Sequence, residues 1–248
     1  MKLVVPMAGR GSRFVNEAMP KPLIEVSGRP MIEWAMASLD DLDVSGVIFV
    51  ALREHDVQHQ LCARLRAAFG EAIEIVLIDD VTEGQLCTVL CARHLLDPDE
   101  DVLVAGCDTF VRGGLAEAIA HRSADVRGIL SVAELPGDRW SFTRLDEHGD
   151  VVEVAEKRRI APWACTGLYY FASAAELLTM ADRMIAADDR SRGEFFVTPL
   201  YTYFLDAGMR VRVAVADIVA DMGTPDAARD FEQRFAAGGI PDSRGARG

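Results

Sequence analysis

Lysine is almost missing from this chain. Of the 26 Lys plus Arg among 248 residues, three are lysines (Lys2, Lys21 and Lys157) and the other 23 are arginines. Each place that uses a compact ammonium instead of a guanidinium is therefore of interest. Positive charge as a whole is also scarce, since 39 Asp plus Glu leave a net charge of −13. A sequence-independent nucleic-acid binder neutralises phosphates with Lys and Arg, so this balance argues against nucleic acid as a partner. Aromatics make up only 7%, yet half of the residues are hydrophobic, which rules out a disordered chain. The five cysteines (Cys62, Cys87, Cys91, Cys107 and Cys165) form no CxxC pair. Their odd number fits a reduced, cytoplasmic compartment better than a disulfide framework. No apolar run approaches the roughly 18 residues needed to cross a bilayer. The apolar run in MKLVVPMAGRG is too short for a signal peptide, so no membrane partner is expected.

What is present is a regular alternation. Leu3–Val5, Val47–Val50, Ile73–Ile78 and Val102–Val104 are compact apolar runs of the kind buried on both faces of a parallel sheet. Helical patterns lie between them at 31–39, 57–69 and 86–96, the last preceded by Thr82 as a candidate N-cap. After about residue 125 the pattern changes to strands at 128–135, 142–145, 151–155 and 168–171, with Glu147-His148-Gly149-Asp150 as a turn. Helices at 173–187 and 198–207, a strand at 211–216 and a helix at 224–235 follow. These patterns predict an α/β, Rossmann-like fold: a mixed, mainly parallel sheet flanked by helices, with no hexapeptide repeat and hence no β-helix. One domain is expected over 1–236, with its mixed-sheet region at about 126–172. Residues 237–248, rich in Gly, Arg and Pro, read as a disordered tail.

The strongest chemical signal follows the first strand directly: Met7-Ala8-Gly9-Arg10-Gly11-Ser12-Arg13. Glycines at 9 and 11 let backbone amides approach a phosphate, and Arg13 adds a guanidinium fork that never deprotonates. Despite the acidic total, residues 1–30 carry five cations against two acids, a local balance of +3. Phe14 breaks the Gly-x-Gly-x-x-Gly dinucleotide fingerprint, and no Gly-Lys-Ser/Thr ends a P-loop. Lys21 lies between Pro20 and Pro22, which predicts an extended segment presenting a fixed point charge. Gly28-Arg29-Pro30-Met31-Ile32 follows shortly after.

Gly-x-Gly-Ser-Arg, Pro-Lys-Pro-Leu and Gly-x-Pro-Met-Ile resemble the signature of the sugar-1-phosphate nucleotidyltransferases, in particular bacterial enzymes for heptose and capsular-sugar phosphates. The resemblance covers roughly residues 2–235 and implies a nucleotidyltransferase, or GT-A-like, version of the predicted fold. It implies that Met7, Ala8, Gly9, Gly11 and Ser12 bind the nucleotide, with Arg13 on the leaving pyrophosphate and Lys21 on the α-phosphate. Glu83 and Gly84, in Thr82-Glu83-Gly84-Gln85, would lie beside the base. Asp108, in Ala105-Gly106-Cys107-Asp108, would be catalytic and hold Mg2+ together with Asp221 of Asp221-Met222-Gly223-Thr224-Pro225. Glu156 and Lys157 would bind the sugar and its phosphate. Thr166, Gly167, Arg139 and Glu194 would complete that pocket.

The implied reaction is attack of a sugar 1-phosphate oxygen on the α-phosphorus of a nucleoside triphosphate, with release of pyrophosphate. An anionic nucleophile needs no general base, so the protein's task is positioning and charge neutralisation. The base, the sugar and the oligomeric state, a homo-oligomer included, stay open. Three other readings are weighed: a cytidylyltransferase for a non-sugar phosphate or phosphonate, a nucleotide-sugar-dependent glycosyltransferase, and a non-catalytic regulatory homologue. Cys107-Asp108-Thr109 lacks the second acid of an Asp-x-Asp glycosyltransferase motif, and the retained Arg13, Lys21, Asp108 and Asp221 argue against a regulatory homologue. Cys87 and Cys91 read as core packing rather than a zinc site. His55, His59 and His94 read as helix-surface residues, and Phe195, Phe196, Tyr201, Tyr203 and Phe204 as core.

Overall fold

The structure, a computed structural model, describes residues 1–14 and 17–241. Its strands are β1 (Lys2–Pro6), β2 (Glu25–Val26), β3 (Arg29–Pro30), β4 (Gly46–Leu52), β5 (Glu74–Ile78), β6 (Val102–Ala105), β7 (Thr109–Arg112), β8 (Val126–Glu134), β9 (Phe142–Leu145), β10 (Val151–Ala155), β11 (Trp163–Phe171), β12 (Arg210–Val215) and β13 (Ile218–Asp221). Its helices are α1 (Met31–Ala37), α2 (Arg53–His59), α3 (Leu61–Phe69), α4 (Gln85–Leu90), α5 (Leu115–Ala120), α6 (Ala174–Ala186), α7 (Leu200–Asp206) and α8 (Pro225–Ala236).

Nine of these strands form one mixed sheet among the described residues, with β10-β9-β11-β6-β1-β4-β5 in order and β8 and β12 continuing from β11. The block β6-β1-β4-β5 is parallel. From β1 the chain winds outward through β4 and β5, then returns to place β6 on the other side of β1. Side-chain alternation divides the apolar runs between two helical layers. Val4, Ile48, Val50, Val102 and Val104 face one core with α4, α6 and α7. Leu3, Val5, Phe49, Ala51 and Leu103 face the other with Leu61, Leu65 and Leu115 of α3 and α5. A third cluster surrounds Trp34 of α1, whose ring meets Phe110, Phe231 and Phe235 edge-on and whose indole N–H donates to the Val26 carbonyl at 2.8 Å. This cluster seats the β7–β13 ribbon and α8 against α1.

Four local expectations need correction. The helix expected over 57–69 is two helices, because Gln60 adopts φ +55 and redirects the chain between α2 and α3. Thr82 does not cap α4: Gly84 occupies that position, and the Thr82 hydroxyl donates to the Gly84 carbonyl at 2.8 Å. Lys21 lies in one 3-10 turn (Lys21–Leu23), not an extended segment, since the flanking prolines also suit the start of a helix. His55 is buried, not on the surface. Of the expected tail, 242–248 lies outside the described residues, while Ile240 is buried in the Trp34 cluster.

Candidate active site

The connections from β1 and β6 leave in opposite directions, and an open α/β sheet presents its ligand crevice at such a point, outside the carboxyl ends of the strands. The loop after β1 begins with the Met7 amide donating to the Val50 carbonyl at 2.8 Å, which ties its root to β4. Gly11 has φ +64, and a β-carbon there would lie 2.9 Å from the Cβ of Lys21, so the turn back over Lys21 requires glycine. A β-carbon at Gly9 would meet no atom within 4 Å. A cleft of about 610 Å³ opens at this point. Met7, Ala8, Gly9, Gly11, Ser12, Arg13 and Lys21 line it on one side, with Glu83 and Gly84, Asp108, Glu194 and Phe196 around the rest.

Asp108 and Asp221 are brought together by β7 and β13, which pair antiparallel with Asp221 opposite Thr109. The Met222 amide donates to the Asp108 carbonyl at 2.8 Å, closing the ribbon at the cleft. Lys21 Nζ donates to Asp108 Oδ2. Burial pushes the Asp108 carboxyl up, but the Lys21 ammonium overrides it and holds the group below the ordinary carboxylate value. Burial pushes Lys21 down, yet Asp108 leaves it above its ordinary value. Asp221 is pushed up, first by burial and then by the charge of Asp108. Cys107, beside them, is pushed by burial up to about 12, so it stays a neutral thiol and offers no covalent nucleophile.

The two acids converge on Gly223. A β-carbon there would fall 2.9 Å from both Asp108 Oδ2 and Asp221 Oδ1, so glycine leaves a hollow between two carboxylate oxygens. Asp221 Oδ2 is buried with no aligned hydrogen-bond donor among the described residues. Its near neighbour is Arg139 Nη2, 2.6 Å away, in an ion pair without that alignment. No cluster of three or more His, Cys, Asp or Glu suited to a metal occurs among the described residues. A two-carboxylate hollow fits a hard divalent cation that takes its other oxygens from water and phosphate.

Across the cleft, β11 changes partners. Trp163 and Ala164 pair with β9, Leu168–Phe171 pair with β6, and the register against β8 slips between Cys165 and Tyr169. Gly167 sits in this slip at φ +96, its carbonyl accepting from the Gly106 amide at 3.0 Å. Thr166 is corrected: its hydroxyl is buried and donates to Ser131 Oγ at 2.8 Å, so it does not face a sugar. Glu156 follows β10, accepting from the Ser141 hydroxyl through Oε2 and lying 3.4 Å from Lys157 Nζ through Oε1. Lys157 has φ +49, and its ammonium stands 4.0 Å over the Phe196 ring. Arg139, expected in the same pocket, lies with its Nη2 2.6 Å from the Asp221 carboxylate.

The loop that carries Glu83 and Gly84 is held by backbone. Phe195 N donates to the Glu83 carbonyl at 2.9 Å and Leu86 N to the Phe195 carbonyl at 3.0 Å. Gly84, at φ +140, has no room for a β-carbon, which would come within 2.4 Å of the Phe195 carbonyl oxygen. The Glu83 carboxylate is paired with Arg190, whose guanidinium lies 4.3 Å from the Phe195 ring, and so does not point freely at a base. Sequence reasoning missed Arg190 and Phe196 as bordering residues. The 107-residue separation of Arg190 from Glu83 left no local pattern, and the aromatic Phe195-Phe196 pair reads as core.

Sheet, crevice and glycine loop together define a nucleotide-binding α/β protein. Comparison narrows that class: residues 3–191 match the MobA-like NTP transferase domain, and the chain belongs to this family. A glucose-1-phosphate thymidylyltransferase of Xanthomonas campestris pv. campestris is 24% identical over 213 residues, 84% of this chain and 70% of its own length. The bifunctional protein GlmU of Thermotoga maritima is 24% identical over 225 residues, covering 88% of this chain but 46% of that protein. A solved nucleoside-diphosphate-sugar pyrophosphorylase of Vibrio cholerae RC9 superposes with a TM-score of 0.81 at 26% identity, over 93% of this chain and 99% of that one. The protein is therefore a nucleotidyltransferase, and the generic reaction of its family is nucleotidyl transfer from a nucleoside triphosphate. Among the described residues, no helix is long and apolar enough to cross a membrane.

Proposed function

We propose that this enzyme joins a nucleoside triphosphate to a sugar 1-phosphate, with Mg2+ held by Asp108 and Asp221. The observation that carries this reading is the hollow at Gly223, where two carboxylates converge beside the glycine loop. When bound, Mg2+ supplies charge neutralisation and Lewis acidity to the triphosphate oxygens. The Gly9 and Gly11 loop and Arg13 hold the β- and γ-phosphates, which leave as pyrophosphate. Lys21 moves from Asp108 to the α-phosphate, where its point charge meets the developing negative charge. Lys157 draws the acceptor phosphate in, with Glu156 fixing its ammonium and reaching the sugar hydroxyls, and Glu194 borders the same pocket. The acceptor oxygen attacks in line, so no side chain needs to remove a proton. The domain spans 1–236 and works in the cytoplasm, in keeping with five free thiols.

Pyrophosphate release over four nucleotides and a panel of sugar, cyclitol and other phosphates, with and without Mg2+, tests the reading. Turnover with at least one pair, abolished by chelation, is expected. No pyrophosphate with any sugar phosphate, but release with a phosphonate, would replace the acceptor class.

A further inference from the structure

Both carboxylates of the hollow carry a resident cation from a different part of the chain. Lys21 holds Asp108, and Arg139 Nη2 stands 2.6 Å from Asp221 Oδ2. Their summed charge, +2, equals that of one divalent ion. Arg139 comes from the loop between β8 and β9, which is itself pinned. Arg159 donates to the Leu135 carbonyl at 2.8 Å, to the Gly137 carbonyl and to Asp138 Oδ1, while the Trp140 indole donates to the Pro136 carbonyl at 3.1 Å. On this stiffened loop the Arg139 head is the free end. Its side chain is 46% exposed against 12% for Asp221, and its guanidinium lies 4.6 Å from the Trp140 ring centroid. Ser141, two residues on, holds the Glu156 carboxylate that pairs with Lys157. One short segment thus touches the acid on the nucleotide side and the cation pair on the sugar side.

We propose that Arg139 is the resident counter-ion of Asp221, displaced when a divalent cation takes that carboxylate and so released toward the acceptor phosphate. A guanidinium keeps its charge on leaving a carboxylate, and a phosphate offers it bidentate geometry in exchange. Metal and acceptor binding are then linked through one side chain, and that linkage is reciprocal. The metal half stands on the geometry alone; the acceptor half rests on the reaction proposed above.

The test uses nucleotide-free protein. Arg139→Gln removes the competitor for Asp221, so Mn2+ affinity read by electron paramagnetic resonance should rise about tenfold. Arg139→Lys, which keeps the charge, should return it most of the way to wild type. In the wild type, Mg2+ should change the Trp140 fluorescence, a signal absent in Trp140→Phe. Acceptor-phosphate binding, measured by calorimetry, should gain from metal in the wild type and gain less in Arg139→Gln. Unchanged or weaker Mn2+ binding in folded Arg139→Gln would overturn the proposal, as would Mg2+ leaving Trp140 unperturbed. Failure of the reaction reading would look different, with no pyrophosphate from any substrate pair while the Mn2+ result stood.

Discussion

Replacing Gly223 by alanine probes the metal hollow with one methyl group. The added carbon would sit 2.9 Å from Asp108 Oδ2, 2.9 Å from Asp221 Oδ1 and 3.6 Å from Asp108 Cγ. A magnesium ion binds oxygen at about 2.0–2.1 Å and keeps an octahedral shell, so it cannot share this space with a methyl group. The backbone tolerates the change, since Gly223 does not adopt a positive φ. Glycine to alanine at a compatible site stabilises by about 0.4–1 kcal/mol through the unfolded chain. Here that gain is offset by the close approach of two carboxylate ends, which can swing aside. The unfolding temperature should therefore stay within a few degrees of wild type. Mn2+ affinity should fall at least about tenfold, near 1.4 kcal/mol, and pyrophosphate release should fall with it. The measurements are a thermal melt and a manganese titration on the same preparation. A folded Gly223→Ala protein that binds Mn2+ and turns over like wild type would refute a cation between these carboxylates.

Gly9→Ala is the matched contrast: its methyl meets nothing in the protein, so stability should hold while KM for the nucleoside triphosphate rises, as initial rates would reveal. Asp108→Asn should lower turnover by orders of magnitude in the pyrophosphate assay. It should also change the acid limb of stability. Lys21 holds the Asp108 carboxyl below its ordinary value, so the pair's contribution is complete at neutral pH and is lost as pH falls through that depressed value. Thermal melts of Asp108→Asn against pH should lack that loss; an unaltered acid limb would assign it elsewhere. Lys157→Gln should raise KM for the acceptor phosphate far more than KM for the nucleotide, and equal effects on both would remove Lys157 from the acceptor side.

Local patterns were enough for much of the fold. The strands at 142–145 and 151–155 agree to the residue, because alternation and an intervening turn act over a few neighbours. The apolar runs of β1, β4 and β6 were equally legible, as was the glycine loop after β1. The helix break at Gln60 was not, because αL geometry at a non-glycine residue is imposed by packing rather than by propensity.

Scarcity of lysine singled out Lys21 and Lys157, and both stand at the cleft: Lys21 on Asp108, Lys157 over Phe196 at its rim. Lys2 sits instead at the amino end of the central strand β1, away from the cleft, 3.8 Å from Glu74. Composition and spacing by themselves thus determined the α/β class and the glycine loop, and drew the eye to the scarce lysines. Only the tertiary structure decided what those groups touch. The β7–β13 ribbon joins Asp108 to Asp221, Arg139 reaches Asp221, Thr166 turns to Ser131, and Glu83 is taken by Arg190. The physical reason is common to the last three. A carboxylate or hydroxyl pairs with whatever partner the fold brings near, and those partners lie tens of residues away, where no sequence period can reach.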